Sequence, residues 1–375
     1  MIEVAPVRTR ADRRAFVALP GRIASGDPNW IEPLHVDRLE LIDRKRNPFF
    51  EHGDAEFWLA RRDGRLAGRL SAQLDRLAPK EAGHIVGSFG QIASEDDGEL
   101  AKALFVAAEN WLRERGAGLV RGPFDLSINE EAGLLVEGFE SPPFMLMPHN
   151  PRFLPGLVEG AGYKPVRDLL AYRMDVTSGL PKAAARLADR PLGNVTLRPL
   201  NMRAFDGEVR KVCGIFNDAW ADNFGFIPLT DAEMSAMAKK LRPIIDPELV
   251  RIAEIDDRAI AFMVLLPNIN EALASMNGRL LPFGWLQLAW MVVGRRIRSG
   301  RVPLMGIIKE VQSSTLAGLL PAAMIAALGQ RALSRRMKTI EMGWVLEENI
   351  AVRRVIERMG GEQAKRLRLY EKALT

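Results

Sequence analysis

Apolar positions along the chain follow two periods, and the order of those periods occurs twice. "FWLARRDGRLAGRLSAQLD" (57–75) alternates apolar and polar residues on both sides of Asp63-Gly64, which predicts two strands and a tight turn. "VRIAEIDDRAIAFMVLLPN" (250–268) repeats that pattern, with Asp256 lying 193 residues after Asp63. The helical period governs "ELAKALFVAAENWLRERG" (99–116) and "LLPAAMIAALGQRALSRRM" (319–337). A short candidate strand follows each, "AGLVRGPF" and "KTIEMGWVL". Both halves close with a polar start, a short helix, a glycine stop and an alternating strand. Tyr172 stands ten residues after Gly162, as Tyr370 stands ten after Gly360. Pro6 and Pro199 match at an offset of 193, and Pro33-Leu34 and Pro228-Leu229 at 195. Four matches in one order at nearly one spacing indicate a tandem duplication.

Each half reads strand, helical stretch, strand-turn-strand, long strand, helix, strand, helix, strand. A hairpin combined with a strand-helix-strand crossover predicts an α/β fold with a mixed sheet. The boundaries are an N-terminal domain at 1–178, a linker at 179–194 with a helical piece, and a C-terminal domain at 195–375. Two insertions break the symmetry: "DLSINEEAGLLVEGFESPPFMLMP" (125–148), and "NINEALASMNGRLLPFGWLQLAWMVVGRRIRSG" (268–300). Insertions in a duplicated scaffold are where specificity is expected.

Composition fits this picture. The 375 residues are 47% apolar and 26% charged, values of a two-domain globular chain. The net charge is +5, but the basic residues are scattered. The densest run, "GRRIRSGR" (294–301), is expected to be a solvated connection rather than a phosphate contact. "KRNPFFEH" (45–52) is read as an elbow that buries Phe49 and Phe50, and no nucleic-acid partner is expected. The single cysteine, Cys213, excludes an internal disulfide. The four histidines lack metal-ligand spacing, so no metal site is expected. "LLPFGWLQLAWMVVG" (280–294) is too short to span a bilayer and predicts a buried or interfacial helix. With no signal-like start, the expectation is a cytoplasmic protein without stable membrane insertion.

The strand "LMGIIKEV", the turn "QSSTLAGLL" and the run "TIEMGWVLEENIAVRRVIERMGG" resemble the GNAT acyltransferase superfamily, and the resemblance covers both halves. "KRNPFFEH" and "GPFDLSINEEAGLL" are similar to a bacterial group of tandem GNAT-like proteins, which implies no particular substrate. The resemblance implies two tandem GNAT-like domains, each a mixed, mostly antiparallel sheet flanked by helices. It also implies an N-acyltransferase that uses acyl-CoA, acetyl-CoA first, on a small-molecule amine in a ternary complex.

Independently, a strand that turns into a helix presents unpaired amides and a positive dipole end, which suit a pyrophosphate. In the second half that turn is Gln312-Ser313-Ser314-Thr315-Leu316-Ala317, entered from Val311, with Thr315 where the family carries glycine. An ordinary Ser/Thr cap is the plain alternative. The corresponding first-half turn holds Glu95, Asp96 and Asp97, which repel phosphate and mark that half as degenerate. Glu310, beside the turn, is a candidate base or else a surface carboxylate paired with Lys309. The family's acid is a tyrosine seven residues after Asn349, and Ile356 stands there, leaving Tyr370 as the candidate. Tyr370 also has a packing reading, since Tyr172 duplicates it. Asn349 matches the family's asparagine near the cofactor, or caps its helix. Asn129, Glu130 and Glu131, with His149, form a candidate acidic wall for a cationic amine; a helix cap starting at Ser127 is the alternative. Two other functions stay open: a non-catalytic ligand- or protein-binding descendant, and a Fem-type aminoacyltransferase.

Overall fold

The computed structural model describes residues 1–374. The first half contributes β1 (Ile2–Pro6), β2 (Gly53–Arg62), β3 (Arg65–Asp75), β4 (Ile85–Ser94) and β5 (Ala117–Gly122). Its insertion follows as β6 (Phe124–Asp125), β7 (Ser127–Ala132) and β8 (Leu134–Glu137), and β9 (Lys164–Asp175) ends the half. The second half supplies β10 (Thr196–Arg198), β11 (Val250–Ile255), β12 (Arg258–Pro267), β13 (Ser299–Ile307), β14 (Thr339–Leu346) and β15 (Glu362–Ala373). Both predicted hairpins form. Their two-residue turns take positive φ at both positions, 52° and 77° at Asp63-Gly64, and 49° and 64° at Asp256-Asp257. Such turns match the twist of the flanking strands.

Thirteen strands make one mixed sheet in the order β1-β2-β3-β4-β5-β15-β9-β14-β13-β12-β11-β10, with β8 alongside β15, and β6 and β7 pair in a small sheet of their own. Each half therefore gives its last strand to the other. β15 runs beside β5, and β9 beside β14. The two exchanged strands pair antiparallel about Leu169 and Leu367, which face each other at an offset of 198. Buried side chains follow the exchange: Tyr370 packs in the core of the first half and Tyr172 in that of the second. The Tyr370 hydroxyl donates to Glu159 Oε1 (3.3 Å), and the Tyr172 hydroxyl to Glu357 Oε1 (3.0 Å). Glu159 and Glu357 are themselves 198 apart. A reciprocal tyrosine–glutamate pair at the repeat spacing is the duplication written in hydrogen bonds.

Helix Gly98–Arg113 packs on β2 and β3, and helix Leu316–Ser334 lies over the second half's strands. By length and composition Leu316–Ser334 is the one helix among the described residues able to cross a membrane. Leu320, Ala322, Met324 and Leu328 are buried in the second core, as befits a central helix of a packed domain. The linker's helical piece, Lys182–Ala188, docks on it. Phe49 is buried and Phe50 half-buried at the expected elbow.

Two local expectations need correction. "SINEEA" is strand β7, so Ser127 caps no helix. β13 ends at Ile307, and Lys309–Gln312 forms a single helical turn instead of continuing the strand. Ile308, extended at ψ 146°, is where the chain leaves the sheet.

Candidate active site

The site begins where paired strands part. β13 and β14 are parallel and register only from Ser299↔Thr339 to Val302↔Met342. Beyond them β13 runs on to Ile307 with no partner on that side. The amide of Ile308 donates to Ile260 O (3.0 Å), so by antiparallel alternation residues 306 and 304 exchange bonds with β12. Met305 and Ile307 then turn their backbone groups toward the gap. Two side chains confirm this: Trp220 Nε1 donates to Met305 O (3.0 Å), and Gln312 Nε2 to Ile307 O (2.7 Å). Pro303 has no amide to offer, which leaves the Met305 N–H as the donor nearest the start of the gap.

The first half parts in the same way, since β4 and β5 register only as far as Ser88↔Arg121. There the gap is filled from within. A Cβ at residue 90 would fall 1.7 Å from the Phe124 carbonyl oxygen, and that oxygen accepts from Gln73 Nε2 (3.0 Å).

Both gaps face one cavity of about 700 Å³, reached by Gln91, Ile92 and Ala93 on one side and by Pro303, Leu304 and Trp344 on the other. Helices Arg10–Ile23 and Phe205–Trp220, one from each half, enclose it, with helix Asp231–Leu241 and both insertions. Most of the wall is apolar, including Val17, Ile23, Leu200, Phe205, Met234 and Ile245.

The polar exception is β7 with its surroundings. The Arg38 guanidinium binds Asp125 and Glu131, both half-buried, and the two carboxylates outweigh burial to hold its charge. Glu130, between them in sequence, has no hydrogen bond or ion pair among the described residues. By surface area Glu130 is exposed, yet protein encloses it, because the surface it exposes is cavity wall. That burial, reinforced by the Asp125 charge, pushes its carboxyl up to about 7. The lining as a whole holds more carboxylates than cations, Asp125, Glu130 and Glu131 with Glu32, Asp37, Glu40 and Glu233 against Arg38, Arg69, Lys240 and Arg301, which favours a cation in the cavity. Asn129 is committed to structure, with Nδ2 donating to Ile227 O (2.9 Å) across to the second half. The His149 side chain, 2% exposed, meets Asp27 through Nε2 (2.7 Å), and burial lowers its proton affinity.

Two further arginines in the wall have no ion pair among the described residues. Arg69 donates to Phe16 O (2.6 Å), and Arg301 to Met145 O, Leu146 O and Gly343 O (2.8, 2.9 and 2.9 Å). Burial brings them down to about 9 and about 10. Arg301 ends the basic run expected to be solvated; Arg295, Arg296 and Arg298 are exposed as expected, but Arg301 is not.

The structure thus gathers Asn129, Glu130, Glu131 and His149 around one cavity. Glu310 lies elsewhere, on the surface, paired with Arg258 (2.8 Å). Tyr370 is fully buried away from the cavity, with its hydroxyl proton held more tightly by burial and by Glu159. Asn349 caps helix Ile350–Arg358 by accepting from the amide of Val352 (3.2 Å).

The second-half turn suits a pyrophosphate in part. Helix Leu316–Ser334 carries no acid in its first turn and holds Thr315 at φ −61°, where a Cβ is tolerated. Most of the expected donors are used inside the turn: the amides of Val311 and Gln312 bond to Ile308 O, those of Ser313 and Ser314 to Val311 O, and those of Leu316 and Ala317 to Ser314 Oγ and Ser314 O. The Thr315 amide and hydroxyl have no such partner among the described residues. The first-half turn is closed by its own acids, since Asp97 caps helix Gly98–Arg113 and is gripped by Arg62 through two bonds (2.8 and 2.7 Å).

The chain is 46% identical over its full length to the bacterial ceramide synthase of Caulobacter vibrioides, covering 98% of that protein. It is 41% identical to protein YghO of Escherichia coli over 97% of this chain and 93% of that one. The chain belongs to their family. No family model matches it. Among solved structures, a tandem GNAT protein from the clavulanic acid biosynthesis pathway superposes with a TM-score of 0.59 at 13% identity, covering 100% of this chain and 99% of that one. This family therefore carries the tandem GNAT fold, as the sequence pattern implied.

Sequence reading missed Met305, Arg38, Arg69 and Arg301. A backbone donor has no residue signature. The three arginines looked like three more members of a scattered basic set.

Proposed function

We propose that the protein is an acyl-CoA-dependent N-acyltransferase that joins a long acyl chain to the amine of a long-chain amino alcohol, a ceramide-forming reaction. The observation that carries this reading is the apolar cavity that connects a strand gap with an inward amide to an enclosed, unpaired carboxylate. The ceramide synthase at 46% identity supports the lipid substrate. A cavity of this volume and lining suits a mostly apolar ligand fixed by a few polar groups.

Acyl-CoA supplies an activated acyl carbon as a thioester. Residues Gln312 to Ala317, entered from Val311, would hold its pyrophosphate through the Thr315 amide and hydroxyl and the positive end of helix Leu316–Ser334. The acidic cluster draws the ammonium head of the acceptor inward. Glu130 takes one proton from that nitrogen, which suits a carboxyl poised near 7. The neutral nitrogen bonds to the acyl carbon, and the Met305 amide receives the negative charge that gathers on the carbonyl oxygen. The C–S bond then breaks with its electron pair going to sulfur, and the second proton of the acylated nitrogen, now acidic, passes through solvent to the thiolate. This mechanism gives the base to Glu130 rather than Glu310, and the oxyanion to Met305 with no part for Tyr370. His149 acts by shaping the wall, and Asn349 by capping its helix. The work is intracellular, where acyl-CoA is found.

Mass-spectrometric detection of amide from purified protein, a long-chain amino alcohol and a panel of acyl-CoAs tests the proposal. Amide formation with long donors is expected, and no amide with any donor rejects it.

A further inference from the structure

The second insertion ends in a helix, Gly284–Val293, in which no residue is fully buried. One face packs down: Leu288 and Met291, with Leu280 before the helix, rest on Leu34, Leu273 and Met276. The other face is large, apolar and open. Leu281 is 76% exposed, Phe283 72%, Trp285 51%, Trp290 57% and Val293 81%. Patches of this kind on otherwise polar surfaces mark interaction sites.

Charge identifies the occupant. Between Glu271 and Glu310 the chain carries no acidic residue at all, while Arg279, Arg295, Arg296 and Arg298 are exposed on either side of the helix. The Arg296 guanidinium lies 3.8 Å from the Trp290 ring centroid, so cation and aromatic present together. Tryptophans and phenylalanine on an apolar face, flanked along the chain only by basic residues, are the composition of a helix lying in the headgroup layer of an anionic bilayer. A protein partner of matching shape gives no reason for so one-sided a charge.

Position gives the surface a purpose. Leu288 also belongs to the cavity wall, so the open face lies about one helix diameter, ~10 Å, from the cavity. The insertion bridges both halves there, with the amide of His35 donating to Gly278 O (2.9 Å) and Asn270 Nδ2 to Pro143 O (3.0 Å). We propose that Leu281–Val293 is a monotopic docking surface for anionic lipid bilayers, through which the lipid acceptor passes between membrane and cavity. The lipid nature of that acceptor rests on the proposed reaction; the docking surface itself does not.

Vesicle flotation of the full-length protein tests this, using phosphatidylcholine alone and with phosphatidylglycerol. Wild type should float with the anionic vesicles and lose binding as salt rises. Arg295→Glu/Arg296→Glu should weaken binding about fivefold per arginine or more, and Trp285→Ser/Trp290→Ser at least about tenfold. Both variants should melt like wild type, because these side chains are exposed, and should acylate a short, water-soluble amine at the wild-type rate. Failure of the wild type to float, or equal flotation of all three proteins, overturns the proposal. So does loss of a dimer in the tryptophan variant with flotation unchanged, which assigns the face to a second copy of the chain. Flotation without amide formation in any assay leaves the surface standing and removes the reaction; amide formation without flotation does the reverse.

Discussion

Glu130 is the residue on which chemistry and stability pull in opposite directions. Folding raises its carboxyl from 4.5 to about 7, so between those values the folded chain binds a proton that the unfolded chain has released. Its contribution to stability therefore falls as pH rises from about 4.5 to 7 and stays unfavourable above. Glu130→Gln should raise unfolding stability at pH 8 by about 1 kcal/mol, less than the full shift because cavity water solvates the carboxylate. The same variant should show no gain at pH 4, and chemical denaturation at the two values checks it. In wild type, kcat should climb through pH 7 as Glu130 loses its proton, and a pH–rate profile without that limb removes it as base. The sequence exposed this residue only as one of four polar neighbours at positions 127–131. That it alone goes unpaired depends on Arg38, about ninety positions away, choosing Asp125 and Glu131.

At the scale of elements, the repeat was legible because hairpins, capped helices and glycine stops are local. Asp63-Gly64 encodes its own turn, and the helical period of 99–113 needs no partner to be seen. The exchange of β9 and β15 was not legible. An alternating strand states which residues point to each face, but not which strand lies beside it. Tyr172 and Tyr370 could be seen to correspond, yet only the fold shows each completing the other half. Tyr172→Phe and Tyr370→Phe should each cost about 1 kcal/mol in denaturant unfolding through the lost bond to glutamate. Their effects should add, since the pairs share no partner. Tyr370→Phe should leave acyl transfer unchanged; a loss of turnover at unchanged stability would restore Tyr370 as a catalytic acid.

Across the whole molecule, the two halves have divided one task. The second keeps an open strand gap and a helix start free of acidic side chains. The first has filled its gap with Phe124 and its turn with Asp97, and contributes Arg38 and the β7 carboxylates instead. No sequence period reveals the cavity between them, because its lining comes from both halves and both insertions. Ala236, half-buried in its wall, is a point where volume can be added. Ala236→Trp should lower turnover of long acyl donors or acceptors while sparing short ones, which competition between chain lengths measures. Ala317→Glu places a carboxylate in a first helical turn that has none and should weaken coenzyme A binding in calorimetry by about tenfold; equal affinity would move the pyrophosphate elsewhere. The most direct test of the shared cavity is the single-turnover rate of amide formation with both substrates saturating, for wild type and Glu130→Gln. A fall of about 10²- to 10⁴-fold with substrate binding retained is predicted, and an unchanged rate would contradict the account.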